Sequence, residues 1–122
     1  MGLKDLFNND YETSEANPAL ELQTHYYRNR SEEVIRVVKE MIASEGGQIK
    51  AEIPQFQEIF YETSGYSCTV IIVGVRPTET AVDFKITTYK LIANGRGKKI
   101  IKDLYQYLDN NLSFKGLGLY NK

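Results

Sequence analysis

The apolar positions of this chain follow a helical period in two stretches and a strand period between them. Val34, Val37, Val38, Met41 and Ile42 recur at spacings of three and four, with Arg36, Lys39 and Glu40 on the opposite side, which predicts an amphipathic helix. Asn29 and Ser31 are good cap residues before it, and Glu32 and Glu33 place negative charge where the helix dipole favours it. Gly46-Gly47 ends the pattern, because glycine accepts the left-handed conformation that closes a helix. The second helical stretch is entered through Asn94-Gly95-Arg96-Gly97, buries Ile100, Ile101, Leu104, Tyr107 and Leu108, and ends near Asn110-Asn111.

Between them lie four strand-like runs, Gln48–Ile53, Phe56–Thr63, Ser67–Val75 and Thr80–Tyr89, separated by Pro54, Ser64-Gly65 and Arg76-Pro77-Thr78. Connections this short join antiparallel neighbours, since a parallel crossover needs a dozen residues or more. Ile49, Ala51 and Ile53 alternate along one face of the first run, and Val82, Phe84 and Ile86 along one face of the last, opposite Asp83, Lys85 and Thr87. The stretch from Cys68 to Val75 is apolar on both faces, which predicts a central strand whose second face is also covered, by the arm, the tail or a second subunit. Ahead of the first helix, Leu20, Leu22 and Thr24 alternate and lead into His25, Tyr26 and Tyr27, so residues 20–28 read as a further strand.

The fold class expected is therefore α+β, an antiparallel sheet of four to five strands packed by two helices in the order β-α-β-β-β-β-α. That order resembles the TATA-binding-protein-like (TBP-like) and helix-grip arrangements, in which a curved antiparallel sheet wraps a long C-terminal helix. The resemblance is one of element order and implies no activity. Residues 1–18 are polar and acidic, ending at Asn17-Pro18, and read as a flexible arm that Leu3, Leu6 and Phe7 could anchor; residues 19–122 form a single domain. The tail from Ser113 to Tyr120 carries Phe114, Leu117 and Leu119 and is expected to fold back onto the sheet or onto a partner.

A chain of 122 residues suffices for one hydrophobic core without staples. The single cysteine, Cys68, lies inside an apolar run and has no internal partner for a disulfide, which fits a reducing, cytoplasmic setting. No segment approaches the roughly 20 apolar residues of a membrane span, and the N-terminus lacks the apolar stretch of a signal peptide. Gly2 invites a myristoylation reading that Leu6 denies, because that motif wants Ser or Thr there. The net charge of −1 hides an asymmetry: residues 1–62 carry 6 bases and 12 acids, residues 63–122 carry 9 bases and 4 acids. Such a chain can pair with a copy of itself, yet its pI of about 5.9 offers no basic field for nucleic acid.

Catalytic signatures are missing. His25, the only histidine, has no nucleophile motif beside it and reads as a strand histidine; Cys68 reads as core packing. One histidine and one cysteine leave no metal-ligand spacing, so neither metal nor cofactor is expected. Glu52, Glu58 and Glu62 lie on neighbouring strands and would form an acid/base pair only if the register brought them together. The segment Asn94, Gly95, Arg96, Gly97, Lys98, Lys99 is an anion-site candidate, with glycine N–H groups at a helix N-terminus and cations that the helix dipole disfavours there. It lacks the spacing of a Walker loop or of a dinucleotide fingerprint.

Nine tyrosines are many for this length, and tyrosine suits interfaces and ligand rims. Tyr26, Tyr61, Tyr89, Phe84, Leu104 and Leu108 are accordingly the pocket or interface candidates. The function expected is a small non-enzymatic binding or assembly domain acting as a homodimer. The alternative is a carrier of an anionic or apolar ligand, with a cavity between the sheet and the C-terminal helix.

Overall fold

A computed structural model describes residues 10–89 and 96–117 of the chain. Seven strands form one antiparallel sheet: β1 (Asp10–Glu12), β2 (His25–Tyr27), β3 (Gln48–Ile53), β4 (Glu58–Glu62), β5 (Tyr66–Arg76), β6 (Glu79–Thr88) and β7 (Phe114–Leu117). Two helices accompany it, α1 (Ser31–Ser44) and α2 (Arg96–Asn111). The strand order is β3-β4-β5-β6-β2-β7, and β1 lies beside β6 as well. The α+β class and the antiparallel sheet agree with the sequence pattern; the count of four to five strands and the order β-α-β-β-β-β-α do not. The two additional strands are short, and each pairs with a segment remote in sequence.

α1 keeps the stripe read from its period: Val34, Val37, Val38, Met41 and Ile42 are all buried. Its N-cap is Arg30 with no side-chain cap, because Asn29 is engaged elsewhere: its amide donates to Glu33 (2.9 Å) and its carbonyl oxygen accepts the Ser113 N–H (2.8 Å). At the far end Gly46 adopts φ +71°, and the Gly47 N–H returns to the Ile42 carbonyl (2.9 Å). In α2 the buried face is Gly97, Ile101, Leu104, Tyr105 and Leu108, so Tyr105 rather than Tyr107 completes the stripe.

Both helices pack on one face of the sheet, where Ile59, Tyr61, Cys68, Val70, Ile72, Val82, Phe84 and Ile86 meet them in a single core. β5, of 11 residues, is central as expected, between β4 and β6. Its second face is open only toward its C-terminal end among the described residues: Ser67, Thr69 and Ile71 are half-buried, and Val73 and Val75 are 49% and 42% exposed. A bulge at Lys50 puts Ile49 in register with Tyr61, on the helix side, while Ala51 and Ile53 oppose Phe60 and Glu58 on the other side. The three residues expected on one face are thus divided, and all of β3 is exposed.

One long edge of β6 is shared. β1 pairs with residues 85–87 and β2 with residues 80–82. Between them the Thr13 N–H donates to the Phe84 carbonyl (2.9 Å), and the Phe84 N–H donates to the Thr13 hydroxyl oxygen (3.0 Å), so both backbone groups of Phe84 are bonded in the gap. The chain then leaves the sheet, makes a 3₁₀ turn at Leu20–Leu22 that sends Leu22 into the core, and returns at Thr24. Residues 20–28 are accordingly not one strand: Leu20 is 63% exposed, and only His25–Tyr27 joins the sheet. Residues 10–18, the end of the expected arm, supply β1 and the buried Thr13; Leu3, Leu6 and Phe7 lie outside the described residues. The tail folds back as β7 against β2, up to Leu117. Among the described residues no helix is long and apolar enough to cross a membrane.

Candidate functional site

The period-2 alternation of β2 puts His25 and Tyr27 on the face that looks at α2, and both reach the same carboxylate there. His25 Nδ1 lies 3.0 Å from Asp109 Oδ1, and the Tyr27 hydroxyl donates to that oxygen at 2.7 Å. With a carboxylate as acceptor Nδ1 carries the proton, which leaves the Nε2 lone pair available as an acceptor. The imidazole is held from both sides, stacked on Tyr105 (ring centroids 3.5 Å, 4° between planes) and flanked by Phe114 (4.8 Å). Tyr105 is itself fixed by donating to the Val82 carbonyl (2.7 Å) and by an edge contact with Phe84. Burial, and then the Asp109 charge, raise the Tyr27 hydroxyl far above the ordinary tyrosine value, so it stays a donor at any physiological pH.

A cleft of about 320 Å³ opens over this cluster between the Leu20–Leu22 turn and α2. Glu21 stands on one wall; Lys102, Gln106 and Asn110, spaced by four along α2, stand on the other. In the sequence His25 looks like an ordinary strand histidine, and nothing singles out Asp109. The only local signals are that His25 and Tyr27 share a strand face and that Asp109 follows Leu108 on a helix. Their meeting is a contact across 84 residues, which no local pattern reports.

A second polar cluster fills the gap between β1 and β2. Asp83 Oδ1 accepts the Thr13 and Thr24 hydroxyls at 2.5 and 2.7 Å, and nearby the Tyr26 hydroxyl donates to Glu15 (2.8 Å). Burial raises the Asp83 carboxyl above the ordinary aspartate value against the pull of the two hydroxyls, and the charges of Glu15 and Glu12 raise it further. The folded state therefore holds this proton to higher pH than the unfolded chain, and the associated stability is lost as pH rises through the folded pKa. Asp83→Asn, which still accepts both hydroxyls, should match the native urea midpoint near pH 3 and exceed it increasingly toward pH 7. A native advantage that grows with pH would contradict this placement.

The structure distributes the other candidates as follows. Arg96, Gly97, Lys98 and Lys99 form the first turn of α2, while Asn94 and Gly95 lie outside the described residues. Lys99 pairs with Asp103 (3.0 Å), and the Arg96 guanidinium lies over the β4–β5 turn, 3.6 Å from where a Gly65 Cβ would stand. Gly97 is covered by the ring of Tyr11, so close packing with β1 explains this glycine. Tyr26 and Tyr61 are buried with satisfied hydroxyls, Tyr61 facing the Tyr66 hydroxyl at 2.9 Å; Tyr89 is 50% exposed.

Phe84 and Leu108 have no exposed surface and Leu104 has 1%, so no water-sized void adjoins them. Glu52 pairs with Lys39 (3.1 Å) on the helix side, whereas strand alternation places Glu58 and Glu62 on the opposite face, so the three carboxylates do not converge. Cys68 is buried, and burial holds its thiol well above the ordinary value. Among the described residues no group of three metal-ligating side chains gathers. No known protein-family model matches this sequence, and no curated protein does.

Proposed function

We propose that this protein is a non-enzymatic assembly domain that pairs with a second copy of itself through the second face of its sheet. The exposure of Val73 and Val75 on the central strand, with Ile71 and Phe60 beside them, carries the reading. Apolar groups gathered on one open face mark an interaction surface.

The shape of the face favours a second copy. β3, β4, β5 and β6 have 6, 5, 11 and 10 residues, so at about 3.3 Å per residue and about 4.8 Å between strands their face has a footprint of about 500 Å², the size of a weak dimer's contact. Each partner in a standard interface contributes about 800 Å². Acids flank the apolar strip on the β4 side, Glu58 and Glu62; on the β6 side Lys85 stands opposite Glu12, Asp83 opposite Ile71, and Lys115 is paired with Glu79. A two-fold axis along β5 lays the aliphatic strip of one copy over that of the other, an isologous sheet-on-sheet packing with the helices outside. The edges suit pairing less, since β3 carries a bulge and Lys50, and β7 has four residues. The filled space between Phe84, Ile86, Leu104 and Leu108 weighs against the carrier alternative, which needs a cavity there.

Native mass spectrometry of the purified chain should find a dimer. Ile71→Glu and Val73→Glu should each yield a monomer with an unchanged far-ultraviolet circular dichroism spectrum. A native chain that remains monomeric at tens of micromolar would overturn the proposal.

A further inference from the structure

We propose that the cleft over His25 is a binding site for a small zwitterion of amino-acid size, independent of any self-association. Three features converge on it. Its volume, about 320 Å³, lies at the lower end of small-molecule sites. Its floor is rigid: Asp109 and the stacked Tyr105 fix the imidazole, so His25 is pre-organised to accept one hydrogen bond at Nε2. It is lined by two carboxylates and one ammonium; Asp109 is already engaged by His25 and Tyr27, whereas among the described residues neither Glu21 nor Lys102 makes an ion pair or a side-chain hydrogen bond.

That last feature separates this stripe from the charges around it. One turn away Lys99 is neutralised by Asp103 at the i,i+4 spacing, and on α1 Arg36 is neutralised by Glu40 in the same way. The residue four after Lys102 is instead Gln106, and four further on stands Asn110, both neutral. A ligand bearing only a negative charge meets Glu21, and one bearing only a positive charge meets Lys102. A molecule with both charges complements both walls. Its ammonium donates to Glu21 and to His25 Nε2, its carboxylate accepts from Lys102, and Gln106 and Asn110 border the remainder. Besides His25, the titratable groups lining the cleft are Glu21 from the turn and Lys102, Tyr105 and Asp109 from α2; Tyr27 reaches Asp109 from β2.

The test is a titration of the ¹⁵N-labelled full chain with the free amino acids and glycylglycine, each compared with its N-acetyl and C-amide forms. At least one zwitterion should shift the amides of residues 21–25 and 102–110 saturably, and both blocked forms should bind at least ten-fold more weakly. Saturation by free amino acids alone assigns a metabolite; saturation by glycylglycine as well assigns a peptide terminus, and both support the site. Glu21→Gln and Lys102→Met, exposed substitutions that leave the core intact, should each weaken binding about ten-fold or more. The double exchange Glu21→Lys with Lys102→Glu should recover part of the loss. No saturable shift across the panel overturns the proposal, and so does equal binding of a zwitterion and its blocked forms.

Discussion

Gly97→Ala should destabilise the protein by about 1–3 kcal/mol, the range of an overpacked core, although alanine is the better helix former by about 1 kcal/mol. A Cβ at this position would stand 1.9 Å from Tyr11 Cδ1 and 2.2 Å from Cε1, far inside van der Waals contact. The helix cannot yield easily, because Ile101 and Leu104 in the following turns are locked in the core. Tyr11 cannot yield alone either, since β1 holds it opposite Ile86. The expected outcome is therefore local: β1 detaches from β6, and hydrogen exchange loses protection at its amides while β4 and β5 keep theirs. In a Tyr11→Ala background the same substitution should be neutral or stabilising, giving a coupling energy above about 1 kcal/mol in a double-mutant cycle. A Gly97→Ala protein with a raised melting temperature would mean that Tyr11 does not cover this helix end.

The same contact illustrates what a linear reading reaches. α1 was legible because its pattern is self-contained: five apolar residues at helical spacing, acids at one end and two glycines at the other. The span of β3, the central place of β5 and the two faces of β6 were legible for the same reason, since short turns and alternation act within a few residues. β1 was not, because a three-residue strand has no period of its own and Asp10 finds its partner at Thr87. β7 is similar, with Leu117 opposite His25. Gly97 carries both lessons, since a glycine before two lysines has the look of an anion loop until the residue above it is known to be tyrosine. Leu20-Glu21-Leu22 misleads in another way. Two leucines with one residue between them suggest a strand, but only Leu22 is buried, and the turn serves to seat it beneath α2.

The tyrosines mislead through their hydroxyls. A count of nine argues for rims and interfaces, yet Tyr26, Tyr27, Tyr61, Tyr66 and Tyr105 are all buried, each with its hydroxyl bonded inside the protein. They use internal acceptors that lie far off in sequence: Asp109 for Tyr27, Glu45 for Tyr66, the Val82 carbonyl for Tyr105. Burial then raises these phenols well above the ordinary value, with neighbouring carboxylates adding to it for Tyr26, Tyr27 and Tyr66. The chain thus satisfies its buried polar atoms; among the described residues no buried side-chain nitrogen or oxygen lacks a partner. The aliphatic strip of β5 is among the apolar groups that stay exposed, and it contains no tyrosine hydroxyl to satisfy.

Asp109 is the residue on which that satisfaction depends most, and Asp109→Ala should cost about 2–4 kcal/mol. Two donors converge on one of its oxygens, His25 Nδ1 at 3.0 Å and the Tyr27 hydroxyl at 2.7 Å, and Tyr27 has no exposed surface. Removing the carboxylate leaves the Tyr27 hydroxyl desolvated without an acceptor, at about 1–3 kcal/mol, and forfeits the charge-assisted contact to the imidazole. Asp109→Asn should cost less, because its carbonyl oxygen still accepts from one donor. Tyr27→Phe removes the donor instead of its acceptor, so in that background Asp109→Ala should lose much of its effect. The imidazole supplies a second readout. With Asp109 present the proton resides on Nδ1, and in Asp109→Ala it should redistribute toward Nε2, visible in the ¹⁵N shifts of the ring. Urea denaturation of the native protein, Asp109→Ala, Tyr27→Phe and the double variant, with the ring shifts, decides the matter: additive costs and an unmoved tautomer would mean that Asp109 is a solvated surface carboxylate and that the His25 floor is not held from behind.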